Sequence, residues 1–454
     1  MITGKTLIAL GYTPASWFGW AIETANKDNI RNEELIEFLS QQKSEYDAAN
    51  NIIKPFEAPV FYHKNILATN TLEQNNVDSV VGVMDEIMST PTVVDGAIMP
   101  DACPTGAHSM PVGSIAVAKN AIHPGWHSAD ICCSVYATCF GFTDPLDVLN
   151  AGMKKTHFGR GGRKANPKLS KDFKNRMEAN IFLNDRKSLE LAKNHLGTQG
   201  DGNHFLFVGV SENNGMTYMV THHGSRGLGA HLYKKGKTLA EKMTRRIAPD
   251  VIKGNEWIDY NTDEGKEYWE ALQIIRAWTK MNHERIHGDV QKSLKIDNTH
   301  SFWNEHNFVF KKGDLFYHAK GATPLVEEFV PDGVDGLRLI TLNMSERILV
   351  VRGKTTRNNI GFAPHGAGRN FSRSYHKKQS VGTVEEVFNR ETEGLDVRFY
   401  SGTTDISELP SAYKNAKNVQ EQIEHFGLGT VVDRIMPYGC IMAGEQTFSY
   451  KNQK

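Results

Sequence analysis

The stretch GDGNHFLFVGVSENNGMTYMVTHHGSRG, residues 200–227, decides how this chain is read. Its apolar runs Phe205–Val210 and Met216–Thr221 read as strands. The first follows a Gly-Asp-Gly-Asn turn, and the second ends in a glycine-rich loop. Upstream, residues 92–140 crowd Gly, Pro, Cys and His between short apolar runs such as Ser114-Ile-Ala-Val-Ala118, which predicts short strands joined by tight loops. Residues 167–196 read as helical. Residues 229–293 read as mostly helical, with periodicity over Glu267–Met281. From 306 onward strands and glycine turns return, and 380–427 mixes short helices and loops. The charged stretch Lys27–Pro55 predicts one or two surface helices without identifiable chemistry. Residues able to do chemistry are scattered from 101 to 413, with no repeat or linker between them. The order predicts an α+β protein: one compact catalytic body of mixed, irregular β-structure with surrounding helices. Residues 91–454 form its catalytic domain, and residues 1–90 are an N-terminal part of the same body.

With 454 residues, 39% hydrophobic and 23% charged, the chain can bury a sizeable core. No apolar run approaches the ~18–20 residues that span a bilayer. Met1–Ala9 lacks a signal-peptide pattern, so a cytoplasmic protein without a membrane partner is expected. The 52 basic and 52 acidic residues cancel. Binding to a polyanion must therefore come from local basic patches. Four of the five cysteines, Cys103, Cys132, Cys133 and Cys139, lie close together, with Cys440 apart. An odd, clustered set does not resemble a disulfide framework and leaves buried thiols or metal ligation.

Four segments place donors at strand ends or in glycine turns: Asp130-Ile-Cys-Cys133, Gly202-Asn-His-Phe205, His222-His-Gly-Ser-Arg-Gly227 and His306-Asn307. Together they offer oxygen, sulfur and nitrogen donors, a set suited to a borderline divalent transition metal. One thiolate and one carboxylate could serve a two-metal site. Taken singly, each segment also reads as a turn or a satisfied polar contact, and Asp130 with Cys133 as a buried thiol beside a surface carboxylate. Cys132, Cys139 and Cys440 read as core. His283-Glu-Arg-Ile-His287 does not have the metalloprotease spacing.

Two further loops, residues 222–227 and His365-Gly-Ala-Gly-Arg369, put small residues and an arginine beside a histidine. Backbone N–H groups can then approach an oxyanion while the guanidinium supplies a planar fork. The second loop runs on through Asn370-Phe-Ser-Arg373 to the basic His376-Lys-Lys378. A neutral imidazole in such a loop can attack phosphorus and form a phosphoramidate, if a carboxylate fixes its tautomer. A glycine turn with a capping histidine is the alternative.

In order along the chain stand Met99-Pro-Asp101, Asp130-x-x-Cys133, Gly202-Asn-His-Phe205, His222-x-Gly-Ser-Arg-Gly227, His306-Asn307, Lys320-Gly-Ala-Thr323, His365-Gly-Ala-Gly-Arg369 with Ser372-Arg373, and Ala412-Tyr-Lys414. This ordered set, spanning about residues 90–444, resembles the RtcB family of RNA ligases. The resemblance implies an enzyme that joins an RNA 3′-phosphate or 2′,3′-cyclic phosphate to a 5′-hydroxyl, using GTP and two manganese ions. By resemblance, Asp130, Cys133, His204, His222 and His306 hold the metals. His365 carries GMP and Asp101 orients it. Asn203, Gly366, Ala367, Gly368, Arg369 and Tyr413 join His365 around the nucleotide. Arg226, Arg369 and Arg373 hold RNA phosphates. The implied partners are RNA ends, such as tRNA halves or damaged RNA, with an accessory activating protein as a further candidate.

The chain departs from the family pattern at several positions. Phe207 stands where a glutamate meets the guanine edge, and Ile441-Met-Ala-Gly444 stands where Ile-Lys-Gly is usual. Asn343-Met-Ser-Glu346 replaces Gly-Ser-Met-Gly, Cys103 replaces a common histidine, and His223 a Ser or Thr. Losing a hydrogen-bonding pair at a base edge predicts weaker discrimination among bases. Two alternatives to the GTP-dependent ligase remain within enzymes: a metal-dependent phosphohydrolase or cyclic phosphodiesterase on RNA ends, and the same ligase chemistry with another nucleotide. A non-catalytic RNA-end binder on the same scaffold is the third.

Overall fold

The region around residues 200–227 sits in the middle of a large sheet. In the computed structural model, which describes residues 1–163, 168–297 and 300–445, twelve strands among the described residues form one sheet. In spatial order it runs His63–Lys64, Val93–Cys103, Val112–Lys119, Leu315–Lys320, Ser301–Lys312, Cys133–Cys139, Thr217–His223, Phe205–Ser211, Thr430–Met442, Ile348–Arg352 and Arg338–Thr341, with Asp396–Phe399 added on Thr430–Met442. Pairing is antiparallel except where His63–Lys64 meets Val93–Cys103 and where Asp396–Phe399 meets Thr430–Met442. The central strands are covered on both faces: every residue of Thr217–His223 and of Cys133–Cys139 is buried. Such strands read as continuous apolar runs, because neither face meets water.

Helix Asp263–Leu294 packs behind these strands. Thr262 caps its start by accepting the Gly265 N–H, and Lys295 ends it in the left-handed conformation at φ 57°. Its buried positions Tyr268, Leu272, Ile275, Trp278, Asn282, Ile286 and Val290 recur every three or four residues, forming one stripe against the sheet. Helix Arg226–Ile247 joins it over the largest apolar cluster. Together these elements make a single compact α+β domain.

The region read as one helical stretch from 167 to 196 is two helices, and residue 167 lies outside the described residues. Ser170 and Asp185 each accept a backbone N–H at a helix start, giving Lys171–Ala179 and Arg186–Asn194. Between them Asn180 donates to the Glu267 main chain and carboxylate, which diverts the chain from helical pairing. Near the N-terminus the helices are Gly4–Ala9, Trp17–Lys27 and Asn32–Ala49, so only the third lies within the expected stretch Lys27–Pro55 and two precede it, the second ending on Lys27. They bury their own small core around Leu7, Trp17, Phe18, Leu35 and Leu39. Lys43 reaches Asp250 at 2.5 Å, and the Ile53 N–H donates to the Ile247 carbonyl. The next helix, Thr71–Met88, packs on strand Val93–Cys103. Residues 446–454 of the expected catalytic stretch 91–454 lie outside the described residues. No helix among the described residues is long and apolar enough to cross a membrane.

Candidate metal and nucleotide site

Strand register assembles a cluster of donors from four distant segments. His222 lies opposite Phe205 on one side and Val135 on the other, which sets it between His204 and Cys133. Strand 301–312 brings His306 alongside through an irregularity. Cys133 pairs with Asn307 but Ser134 pairs with Glu305, so His306 is the extra residue of a bulge. Bulges re-aim a side chain that a regular ladder would place elsewhere. Cys133 Sγ lies 3.1 Å from His222 Nε2 and 3.9 Å from His204 Nε2. His222 Nε2 lies 3.1 Å from His306 Nε2, and His204 Nε2 lies 3.1 Å from Asp130 Oδ2. Two overlapping groups result, Cys133/His222/His306 and Asp130/Cys133/His204, each with its donor atoms within 4.8 Å of one another. Cys133 belongs to both.

The main chain orients these rings. His204 Nδ1 bonds the Gln199 carbonyl at 2.8 Å, and His222 Nδ1 bonds the Asn203 carbonyl at 3.0 Å. A carbonyl only accepts, so Nδ1 carries a proton in both rings and each Nε2 is the nitrogen left to offer a lone pair to a cation. Burial and the charge of His204 push His222 down to about 3, so it stays neutral. Burial and the neighbouring His365, His222 and His204 push His306 well below its usual value, and its Nδ1 is buried without a partner. Burial works against the Asp130 carboxylate, but the hydrogen bond and charge of His204 outweigh it and hold it at about 2. Burial and Asp130 push the Cys133 thiol well up. Lone pairs packed this tightly repel one another unless a cation lies among them, and a bound cation would also deprotonate the thiol. The donor set and its geometry fit a divalent transition metal. Gly224 is required here: a Cβ on it would lie 2.1 Å from Asp130 Oδ1.

His365 borders this cluster, its ring centroid 4.8 Å from that of His306. It follows strand Phe362–Pro364, and its Nδ1 lies 2.5 Å from Asp101 Oδ2. The same oxygen accepts the backbone N–H of His365 and of Gly366. A carboxylate oxygen that also accepts two backbone N–H groups serves as acceptor for Nδ1–H and leaves Nε2 as the ring nitrogen facing the cavity. Asp101 is fully buried, and it lies in a second irregularity, between the pairs Ile98–Ser114 and Cys103–Val112. Lys414 holds that segment by donating to the carbonyls of Pro100 and Ala102. Gly368 has φ 72°, and a Cβ there would lie 2.0 Å from the Asp101 carbonyl.

Two cavities meet at His365. One, with an empty volume of about 860 Å³, is bounded by Asn203, Gly366, Ala367, Gly368, Arg369 and Tyr413 near His365, and by Phe207, Met344 and Met442 farther in. The other is a broad groove of about 1810 Å³ running past Asp130, Cys133, His306, Lys320, Arg369 and Arg373. Burial lowers Lys320 to about 8, and its Nζ donates to Thr105, Ser109 and the Met110 carbonyl.

The three arginines differ in setting. Arg226, with φ 54°, reaches the Gly159 carbonyl and Thr198 Oγ1 close to Asp130. Arg369 and Arg373 converge instead on one buried carboxylate, Glu408, at 3.4 and 2.5 Å. The Tyr413 hydroxyl donates to Glu408 at 2.7 Å, and the Arg369 guanidinium lies over the Tyr413 ring. Sequence reasoning missed Glu408. The signal was an acid shortly before Ala412-Tyr-Lys414, in a chain whose arginine loop had no acid assigned to it.

Residues read as peripheral stay outside the cluster. His223 points to the opposite face from His222 and stacks on His283 at 3.5 Å. His283 and His287 both bond Thr221 Oγ1 on the helix side of the sheet, within a satisfied polar network. Cys132, Cys139 and Cys440 are buried.

The family model described as tRNA-splicing ligase RtcB matches residues 147–443. That stretch contains His204, His222, His306 and His365, while Asp101, Asp130 and Cys133 precede it. Curated relatives named tRNA-splicing ligase RtcB include one from Archaeoglobus fulgidus, 28% identical over 297 residues, covering 56% of this chain and 61% of its own length. One from Aeropyrum pernix is 30% identical over 285 residues, 54% of this chain and 58% of its own. One from Nanoarchaeum equitans is 26% identical over 316 residues, 59% of this chain and 65% of its own. The matched stretch thus spans about six-tenths of these relatives' length.

Proposed function

This chain belongs to the tRNA-splicing ligase RtcB family, and on that premise we propose that it is an RNA ligase working through a nucleotide carried on His365. It would seal an RNA 3′-phosphate, or a 2′,3′-cyclic phosphate after ring opening, to a 5′-hydroxyl. The observation that carries the proposal is the Asp101–His365 pair, 2.5 Å apart, set against a converging Cys/His/Asp donor cluster.

With Nδ1 protonated toward Asp101, the His365 Nε2 lone pair is the nucleophile. It attacks the α-phosphorus of a nucleoside triphosphate, GTP by the family resemblance. An N–P bond forms, the α–β P–O bond breaks, and pyrophosphate leaves. An oxygen of the RNA 3′-phosphate then attacks the same phosphorus, forming a P–O–P anhydride and restoring the imidazole. The 5′-hydroxyl oxygen attacks the RNA phosphorus, its proton passes to solvent, and the nucleoside monophosphate leaves. Asp101 holds the ring in one tautomer throughout and stabilises the charge that develops on it.

Asp130, Cys133, His204, His222 and His306 would hold two manganese ions. Bound there, they would offset the triphosphate charge and the charge growing on the leaving oxygen. Gly366, Ala367 and Gly368 let the backbone come close to the nucleotide beside Asn203, Arg369 and Tyr413. Arg369 and Arg373, which line the groove, would hold RNA phosphates, with Arg226 near Asp130 as a third candidate, so affinity should fall with salt.

The test is self-labelling. Protein incubated with manganese and α-labelled nucleotide should carry label through a denaturing gel, and His365→Ala should carry none. Opening of cyclic phosphate ends without any label would instead support a phosphohydrolase.

A further inference from the structure

The inner end of the cavity beside His365 is built by two paired strands. In the ladder between Phe205–Ser211 and Thr430–Met442, Phe207 lies opposite Cys440 and Phe205 opposite Met442. Residues two apart share a face, so these four side chains form one continuous floor. Leu206 and Ile441 point to the other side, into a separate apolar cluster. Ile348, on the strand next to Thr430–Met442, and Met344 also line the cavity. Phe205 also lies 5.1 Å, ring to ring, from His222, so it separates the donor cluster from the inner end.

Several polar groups around this cavity are already engaged. Asn343 Oδ1 accepts the Ser345 N–H. Glu408 is shared among Arg369, Arg373 and the Tyr413 hydroxyl. Thr341 pairs through its main chain with His365. With the triphosphate end at His365 and Arg369, the base of a bound nucleotide must enter the apolar end. That end offers aromatic faces, thioether and thiol sulfur, and aliphatic walls. These attract a flat, polarisable ring strongly and its hydrogen-bonding edge weakly.

We propose that this pocket selects its nucleotide by ring size and stacking and not by the guanine edge, so that the enzyme uses ATP at least as readily as GTP. The proposal rests on the nucleotidyl-transfer reading above and names its substrate class. Guanine carries two adjacent donors, N1–H and N2–H2, beside the O6 acceptor. In this floor they lose water without gaining partners, whereas adenine has fewer such groups to strip. A pyrimidine covers less of the floor and should be the poorer substrate.

The experiment is competition for self-labelling of the full-length protein with manganese. It compares labelled ATP and GTP at equal concentration, with CTP and UTP in parallel. ATP should label as fast as GTP or up to about tenfold faster, and pyrimidine nucleotides more slowly than either. His365-dependent labelling that favours GTP by tenfold or more would overturn the inference and leave the ligase reading standing. Labelling from no nucleotide would overturn both. Phe207→Glu sharpens the test, because a carboxylate on the floor can accept from both guanine donors. It should move the GTP-to-ATP ratio toward GTP by about tenfold, and an unmoved ratio in folded variant protein would show that residue 207 does not meet the base. If that variant does not fold, the wild-type competition decides alone.

Discussion

The two sides of His365 are built on opposite plans. Toward His306 lies a basin of converging nitrogen, sulfur and oxygen donors, oriented by the carbonyls of Gln199 and Asn203. Toward Phe207 lies a floor of rings, sulfur and methyl groups set by side-chain identity alone. A donor aimed by backbone cannot change without moving a strand, whereas a floor residue can be exchanged while the strand stays in place. On the proposed reading, the contrast makes the chemistry of bond exchange separable from the choice of nucleotide. The family-like metal donors sit in the basin; of the departures, Phe207 and Met442 sit on the floor, and His223 lies behind the sheet against His283.

The largest effect should come from the residue on the boundary. His365→Ala should remove self-labelling entirely while leaving bound metal unchanged by elemental analysis. If labelled protein persists, the nucleophile lies elsewhere and the boundary is misplaced. Next is the basin. Cys133→Ala removes the one donor shared by both groups of ligands. Manganese content should drop, with at least about 100-fold less labelling. Unchanged metal stoichiometry would exclude a shared thiolate. Asp101→Asn should slow labelling by about 100-fold through loss of the fixed tautomer, with metal content and nucleotide KM nearly unchanged. A rise confined to KM would make Asp101 a binding residue instead.

Much of the basin was legible because its residues fall in short, spaced motifs. Cys133 opens a strand, His204 precedes one, His222 stands near a strand end and His365 stands beside Gly366, whereas His306, expected at a strand end or glycine turn, lies mid-strand in Ser301–Lys312; the structure brings the five together. The bulges that aim His306 and set Asp101 were not legible, because register belongs to the pairing of two strands and not to either sequence. Nor were the carbonyls that orient His204 and His222, since every residue has one. Glu408 was missed because its partners lie in another loop. The split at Asn180 was hidden for the same reason: its competing partner, Glu267, is remote in sequence. The floor was half legible. Phe207 stood out as a departure, but its pairing with Cys440 could be seen only in the ladder.

Two smaller effects probe the floor and its rim. Glu408→Gln removes the charge that gathers Arg369, Arg373 and Tyr413. Charge-assisted hydrogen bonds of this kind contribute about 1.5–3 kcal/mol, so nucleotide KM should rise about tenfold with little change in metal content. A large loss of metal would show that the rim and the basin are coupled. Phe207→Leu should lower stability by about 1–2 kcal/mol in denaturant unfolding, from lost ring contacts and a small void. Manganese content should not change. If it falls, the floor supports the basin and the two regions are not separable.

The contact between Lys414 and the segment around Asp101 has a consequence for the order in which the site is made. Asp101 and His365 are 264 residues apart, and Lys414 donates across 314 residues to Pro100. A chain emerging from the ribosome completes all five donor residues by position 306. On the proposed reading, a half-synthesised chain would carry every metal donor before it carries His365 or the lysine that clamps Asp101, so the nucleotide-accepting half of the site would be the last to be completed.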